Sequence, residues 1–327
     1  MGNRWGKIVQ ENPTIFGNHT EYTTPLLEFD YIDLEGELEQ NNEIPFTSGY
    51  PQARYHFMKQ LDGKLRVNNY AAPDNIGEFI KSVLGTHTVV AGGTGRQHTF
   101  KPDQAGTAWT CYDYNSDFTQ YRKFLGCQAT KLEIAGVARD VATFNWVAMY
   151  ADEGLGTLGA ITMGTLPSVR PFMFYDGAVT VEGAQAKAES FRTTVDVEIP
   201  ADTQVVGYRD RQYLIKTTTG FTATVDVSQA DWVNLQRYYG GTGLASPAND
   251  DEVVGCVFTL TAGAISGGLA PATNYALSIN LPAMVITGHK SGRSRRDRLV
   301  ETLTLQSTYN INNSIILTNM KSTYAES

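Results

Sequence analysis

Alternating apolar and polar positions predict extended strands over much of this chain, and the same order of elements occurs twice. In LEGELEQ (34–40), leucine and glycine take alternate positions and glutamate fills those between them. TVDVEIP (194–200) repeats this pattern with valine and isoleucine against threonine and acidic residues. Since successive side chains of a strand point to opposite faces, each segment predicts a strand with one apolar and one acidic face.

The elements after each acidic strand also correspond. In residues 34–86 and again in 194–242, a Gly-Tyr pair precedes a glycine-opened strand and a short helix that ends in glycine. In IGEFIKSVLG (76–85) the apolar residues recur at helical spacing. In WVNLQRYYG (232–240) we expect Trp232, Leu235 and Tyr239 to share the apolar face, with Ser228 or Asp231 as the cap. The repeated order of elements predicts two similar β-domains.

A closing hairpin completes each copy. KLEIAG (131–136) and DVATFNWVAMYAD (140–152) form the first, and both faces of the longer strand carry apolar side chains, so we expect both to be covered. LPAMVITGHK (281–290) and RLVETLTLQSTYN (298–310) form the second. The turn-rich insertions 86–120 and 241–275 predict either extended hairpins that reach a neighbour or disordered loops.

These boundaries divide the chain into four parts. We predict an N-terminal arm (1–25), a first β-domain (26–152), a linker rich in glycine and small residues (153–170), and a second β-domain with a C-terminal tail (171–327). The length of 327 residues fits two domains of about 150 residues each. With neither an apolar leader nor a long apolar run, we expect no secretory signal and no membrane span.

The net charge argues against a nucleic-acid-binding protein, whereas one basic segment could contact an acidic protein surface. A net charge of -8 disfavours a protein that holds phosphate backbones by neutralising them. One segment, GHKSGRSRRDR (288–298), is basic, and we predict a mobile loop there. It either contacts an acidic surface of a neighbouring subunit or is simply solvated. Its cationic residues are Lys290, Arg293, Arg295, Arg296 and Arg298.

Known catalytic and metal-binding patterns do not match. Three cysteines without a close pair predict small core residues, and the five histidines are scattered along the sequence. The segment Gly92 to Gly95 lacks the lysine of a phosphate-binding loop and predicts a turn. We therefore expect no enzyme activity and no cofactor.

The acidic rows allow three interpretations. Two carboxylates could serve a glycosidase, but such a pair needs unequal environments, and these acids lie in a row on one strand face. Simple strand alternation is favoured over a catalytic pair. If the strands line a channel, like charge would keep a polyanion mobile inside it, and these side chains would face the lumen. They are Glu35, Glu37, Glu39, Asp196 and Glu198.

The order of elements resembles the tail tube proteins of long, non-contractile bacteriophage tails. The resemblance covers most of residues 26–310. The segments that carry it are GKLRV (63–67), IGEFIKSVLG, HTF (98–100), YRKFLGCQATKLEIAG (121–136), DVATFNWVAMYAD, GAVTVEGAQ (177–185) and SFRTTVDVEIP (190–200).

The resemblance implies a mainly β fold of two tandem tail-tube-type β-sandwich or barrel domains, each flanked by a short α-helix, with long inter-subunit loops. It implies a virion protein, made in the host cytoplasm, whose stacked rings form the channel for DNA ejection. Two domains per chain would let three chains close a pseudo-hexameric ring. Implied partners are further copies of the chain, the tail tip and tail terminator proteins, and the tape measure protein and DNA in the lumen without specific binding; no membrane is involved. The alternative is a carbohydrate- or receptor-binding virion β-sandwich.

Overall fold

The chain folds mainly as β-structure, and all pairings between the described strands are antiparallel. The computed structural model describes residues 4–10, 27–29, 33–43, 57–103, 108–115, 118–157, 169–200, 216–228, 232–247, 251–293, 299–308, 312–322 and 324. No helix within these ranges is long and apolar enough to cross a membrane.

The elements follow one another along the chain as strands with two α-helices and one short 3-10 helix. The strands are β1 (Arg4–Gln10), β2 (Leu27–Phe29), β3 (Asp33–Glu43), β4 (Phe57–Tyr70), β5 (Gly85–Gly92), β6 (Gly95–Pro102), β7 (Trp109–Asn115), β8 (Gln120–Val137), β9 (Thr143–Tyr150), β10 (Asp152–Thr157), β11 (Gly177–Val181), β12 (Ala184–Ala186), β13 (Ala188–Glu198), β14 (Thr218–Ser228), β15 (Val253–Ala264), β16 (Asn274–Arg293), β17 (Leu299–Ser307) and β18 (Ser314–Asn319). The helices are α1 (Ile76–Leu84), α2 (Val233–Tyr238) and the 3-10 helix Phe174–Asp176.

The pairing order of the first half recurs in the second. In the first half, the long strand β8 belongs to two sheets, β2–β1–β7–β8–β10 and β3–β4–β9–β8. In the second half, β16 takes the same place in β12–β11–β15–β16–β18 and β13–β14–β17–β16. Among the described strands, only the hairpin β5–β6 lacks a counterpart.

Two strand pairings join the halves. β8 pairs with β13 over Lys131–Val137 and Ser190–Asp196, so the two four-stranded sheets run on as one. β6 pairs with β18, so the β5–β6 hairpin extends the second half. Within the predicted insertion 86–120, the described residues form the hairpin β5–β6, which pairs with β18 of the same chain, and strand β7, which pairs with β1 and β8.

Helix α1 fills the centre of the first half. Its apolar face carries Phe79 against Phe144 and Trp146 of β9, with ring centroids 4.8 and 5.4 Å apart. The Trp146 indole also donates a hydrogen bond to Ser82 Oγ at 2.9 Å. Burial of an aromatic side chain of this size contributes about 1.5–3 kcal/mol, so this cluster anchors the helix to the sheet. Gly85, with φ of 94°, ends the helix as predicted.

One prediction of local structure is wrong, and two of the predicted segments contain strands. In α2, Trp232 is 49% exposed and the buried residue is Asn234, so the predicted apolar face is wrong. Within the predicted arm, Arg4–Gln10 is a strand that pairs with β7. Strand β10, Asp152–Thr157, runs into the predicted linker and pairs with β8.

The strand β9 is covered more fully on one face than on the other. Phe144, Trp146, Ala148 and Tyr150 are buried, whereas the residues between them are half-buried. Among the described residues, the expectation that both faces are covered holds fully for the first face and only in part for the second.

Candidate assembly interface

The two copies can be aligned residue by residue through a shared irregularity. The register shifts between Ala129 and Lys131 where β8 pairs with β9, and between Ile286 and Gly288 where β16 pairs with β17. Each shift leaves one extra residue in the long strand, which is the signature of a β-bulge. The extra residue is a threonine both times, so Thr130 corresponds to Thr287. When the strand pairings are followed outward from this bulge in each copy, β3 corresponds to β13, and Leu38 corresponds to Val195.

The junction between the two copies inside the chain is a complete antiparallel interface. Opposite β8, the core-facing residues Val195 and Phe191 of β13 are 1% and 2% exposed. On the other face, Lys131 lies directly opposite Asp196, and Arg192 Nε lies 3.5 Å from Glu133 Oε1. The junction therefore combines hydrogen-bonded strands, buried apolar side chains and opposite charges.

The equivalent edges at the two ends of this sheet remain open. No described strand pairs with the outer edge of β3, and Leu38 is 42% exposed there although its counterpart Val195 is buried. No described strand pairs with the outer edge of residues 287–293 of β16, since β15 extends only to the partner of Val285. An uncovered edge of this kind is a template for another strand.

The predicted lumen acids lie on one face of the joined sheet. Directly opposed residues share a face, and one such row runs through Glu35, Arg66, Val147, Lys131 and Asp196. The row brings together acids that are far apart in sequence, and it places basic side chains between them. The sequence pattern gave no sign of these cations. The face is of mixed charge and not uniformly acidic.

The other predicted acids lie close to this row. Glu37 is exposed and lies opposite Lys64. Glu198 is exposed and accepts a hydrogen bond from Thr218 Oγ1 at 3.0 Å. Glu39 belongs to β3, but its side chain lies outside the described residues. Whether this face lines a channel stays a prediction.

The described part of the basic segment, residues 288–293, belongs to a strand and not to a loop. Lys290 and Arg293 are part of strand β16, where they pair with Thr302 and Leu299 of β17. The prediction of a loop is therefore wrong for these residues, because the hairpin arms extend further than the glycines suggested. Lys290 is exposed. The Arg293 side chain and residues Arg295, Arg296 and Arg298 lie outside the described residues.

A polar trio replaces an apolar one where α2 meets the second sheet. Alignment of the helices at Gly85 and Gly240 places Asn234 at the position of Phe79, and alignment of the strands places Glu301 at that of Phe144. Glu301 is 0% exposed; its Oε2 accepts a hydrogen bond from Asn234 Nδ2 at 3.2 Å, and its Oε1 lies 3.5 Å from His289 Nε2. Helix α2 is thus held by a buried polar contact.

Lys321 and Tyr324 of the C-terminal segment contact helix α1 on the side that faces away from the sheet. These contacts form a helix lock. The Lys81 ammonium donates a hydrogen bond to the Tyr324 carbonyl at 2.6 Å, and Lys321 forms an ion pair with Glu78. The Tyr324 ring lies so close to Gly77 that a Cβ there would come within 2.0 Å of it. Burial lowers the pKa of Lys321 to about 8.

Two histidines that look scattered in sequence meet beside this lock. The hairpin β5–β6 stacks His87 on His98 with centroids 5.2 Å apart, and His98 Nε2 lies 3.1 Å from Asn319 Oδ1. Burial, followed by the nearby His98 and Lys81, lowers the pKa of His87 to about 4. Burial also lowers the pKa of His98. The two histidines are diagonal neighbours in the hairpin, since His87 lies opposite Phe100 and His98 lies opposite Val89. Their contact can be foreseen only once the pairing register is known.

Other sequence predictions can be compared directly. The three cysteines are buried and free, as predicted. The turn at Gly92–Gly95 is present, with Gly93 at φ of 64° and its neighbour Thr94 donating a backbone hydrogen bond to the Gly267 carbonyl at 3.1 Å. In the part of the chain that the structure describes, no three His, Cys, Asp or Glu side chains are grouped to hold a metal ion.

Comparison with known proteins adds no family assignment: no protein-family model and no curated protein matches this chain.

Proposed function

We propose that this chain is a structural virion protein that polymerises as stacked rings into the tube of a long, non-contractile bacteriophage tail. The observation that carries the proposal is the duplicated pairing order, with one complete junction inside the chain and the two equivalent edges open at its ends. Fused copies of one unit occupy equivalent positions in a closed cyclic assembly, which reuses the same contact throughout.

In this proposal each copy is a tail-tube-type β-sandwich or barrel domain flanked by its helix. Three chains would supply six such domains to a ring. The open edges of β3 and β16 favour assembly over a monomeric role, because an uncovered edge in an isolated protein invites aggregation, whereas a ring covers it.

The mixed-charge face of the joined sheet is the proposed channel wall. It carries Glu35 and Asp196 in a row with cations, and Lys131 and Arg192 both lie near Glu133, at 3.7 and 3.5 Å. Cations that are matched by carboxylates offer little excess charge to hold a phosphate backbone, so DNA and a tape measure protein would pass without specific binding. The tail tip and tail terminator proteins would end the tube.

Negative-stain microscopy of the purified protein, together with native mass measurement, tests this function. We expect rings or tubes whose unit is three chains. Rings of six chains would contradict the proposed count, and monodisperse monomers that bind glycans would instead favour a receptor-binding virion protein.

A further inference from the structure

We infer that the open edge of β3 pairs antiparallel with residues 287–293 of β16 from a second copy of the chain, in the register of the internal β8–β13 junction. The inference rests on the proposed ring assembly and specifies its contact. Transferring the internal register through the alignment places Glu37 opposite Lys290, Glu35 opposite Gly292 and Leu38 opposite His289.

Burial supports this occupant. Leu38 is 42% exposed, while Val195 at the same place in the internal junction is 1% exposed. The difference arises because β8 covers β13 and no described strand covers β3. A partner strand at the β3 edge would remove Leu38 from water as β8 does for Val195.

Charge decides between the two ways in which copies could meet. The outer strand β3 carries Asp33, Glu35 and Glu37, so pairing β3 with β3 of another copy would set carboxylates against carboxylates. The β16 edge instead carries Lys290, which is exposed. Pairing between unlike edges is therefore favoured, and such head-to-tail contacts generate rings or filaments and not isolated two-fold dimers.

Cysteine cross-linking tests the register. Directly opposed residues of antiparallel strands have Cα atoms about 4.5–5.5 Å apart, within the range that a disulfide can bridge. The double variants Glu37→Cys/Lys290→Cys and Glu35→Cys/Gly292→Cys are matched to the inferred register. A Cβ at Gly292 meets no atom within 4 Å, and the native cysteines are buried.

The control is Glu37→Cys/Gly292→Cys, which shifts the pair by two residues on the same face and separates the Cα atoms by about 8 Å. After mild oxidation, we expect both matched variants to give a ladder of covalent oligomers on non-reducing gels, with a cross-linked fraction at least about tenfold above that of the control. The top of the ladder counts the chains in the ring. Within one chain the two edges belong to the first and the eighth strand of the joined sheet, and seven strand spacings of about 4.8 Å, or about 34 Å, prevent an internal bond.

The outcomes separate this contact from the proposed function. Rings in the microscope without cross-links in either matched variant would overturn the register and leave the assembly standing. Cross-linked ladders without tubes would support the contact and count against the tube. Cross-linking of Glu37→Cys alone would show that β3 pairs with itself and would overturn the inference. Circular dichroism confirms that each variant is folded before oxidation.

Discussion

Replacing His289 with leucine removes the imidazole that faces the buried Glu301 carboxylate. Glu301 is 0% exposed, and its Oε1 lies 3.5 Å from His289 Nε2. Removing one of two buried polar groups that face each other costs about 1–3 kcal/mol, because the group that remains keeps its desolvation penalty and loses its neighbour. Since Asn234 still donates to Glu301 at 3.2 Å, we expect a loss of about 2 kcal/mol.

Removing the whole trio should reverse the loss. The variant His289→Leu/Asn234→Leu/Glu301→Leu replaces every member by an apolar side chain of similar size, as in the first copy, where Leu132 and Phe144 occupy two of these places. Exchange of a complete buried ionic group for apolar residues is often neutral or stabilising by about 1–4 kcal/mol. We expect the triple variant to be at least as stable as the wild type.

Urea unfolding followed by circular dichroism measures both variants. All proteins are compared at one concentration, because assembly stabilises the folded chain by mass action. Gln306→Ala, at an exposed position of the same strand, is the matched control and should change the free energy of unfolding by less than about 0.5 kcal/mol. The reasoning fails if His289→Leu costs less than about 1 kcal/mol, or if the triple variant is as unstable as the single one.

Three further predictions concern the helix lock, the histidine pair and the chain-to-chain contact. Gly77→Ala should lower the free energy of unfolding by about 1–2 kcal/mol, because the clash with Tyr324 outweighs the better helix propensity of alanine; a higher melting temperature would contradict this. Because the pKa of His87 is about 4 when folded and 6.5 ordinarily, its neutral form is favoured in the fold, so stability is retained above pH 6.5 and falls towards pH 4. His87→Asn should flatten that decline in urea midpoints measured across pH, and an unchanged slope would refute the assignment. Glu37→Lys should weaken assembly roughly fivefold per contact in sedimentation, and adding Lys290→Glu should restore it; assembly of the single variant at wild-type strength would argue against the pair.

Local patterns predicted those elements whose physics is local. The acidic strand 34–40, the helix at 76–84 with its terminal glycine, and the turn at Gly92–Gly95 follow from side-chain period and turn chemistry alone. The odd number of cysteines and the lack of a close pair predicted free core residues, and all three cysteines are free and buried. The duplication was visible for the same reason, since a repeated order of local signals needs no knowledge of contacts.

The same patterns predicted the wrong buried face for α2, and they predicted a loop where Lys290 and Arg293 lie in strand β16. Trp232 and Leu235 fit a helical stripe, but the sheet at that place offers Glu301, which needs the amide of Asn234. The helix therefore directs the residue that can hydrogen-bond the buried Glu301 towards the sheet, and Glu301 lies in a strand far along the sequence.

Sequence by itself determined that this chain is mainly β, that its order of elements is repeated and that the strands at 34–40 and 194–200 each carry their acids on one face. Only the tertiary structure decided which strands are neighbours: β8 beside β13, β6 beside β18, and Asn319 beside His98. The reason is that an alternating strand presents the same hydrogen-bonding edge to any partner, so its period fixes its faces but not its neighbour. Register is set by long-range packing and charge. The register placed basic residues between the predicted acids, and the choice of neighbours left the edges of β3 and β16 without a described partner strand.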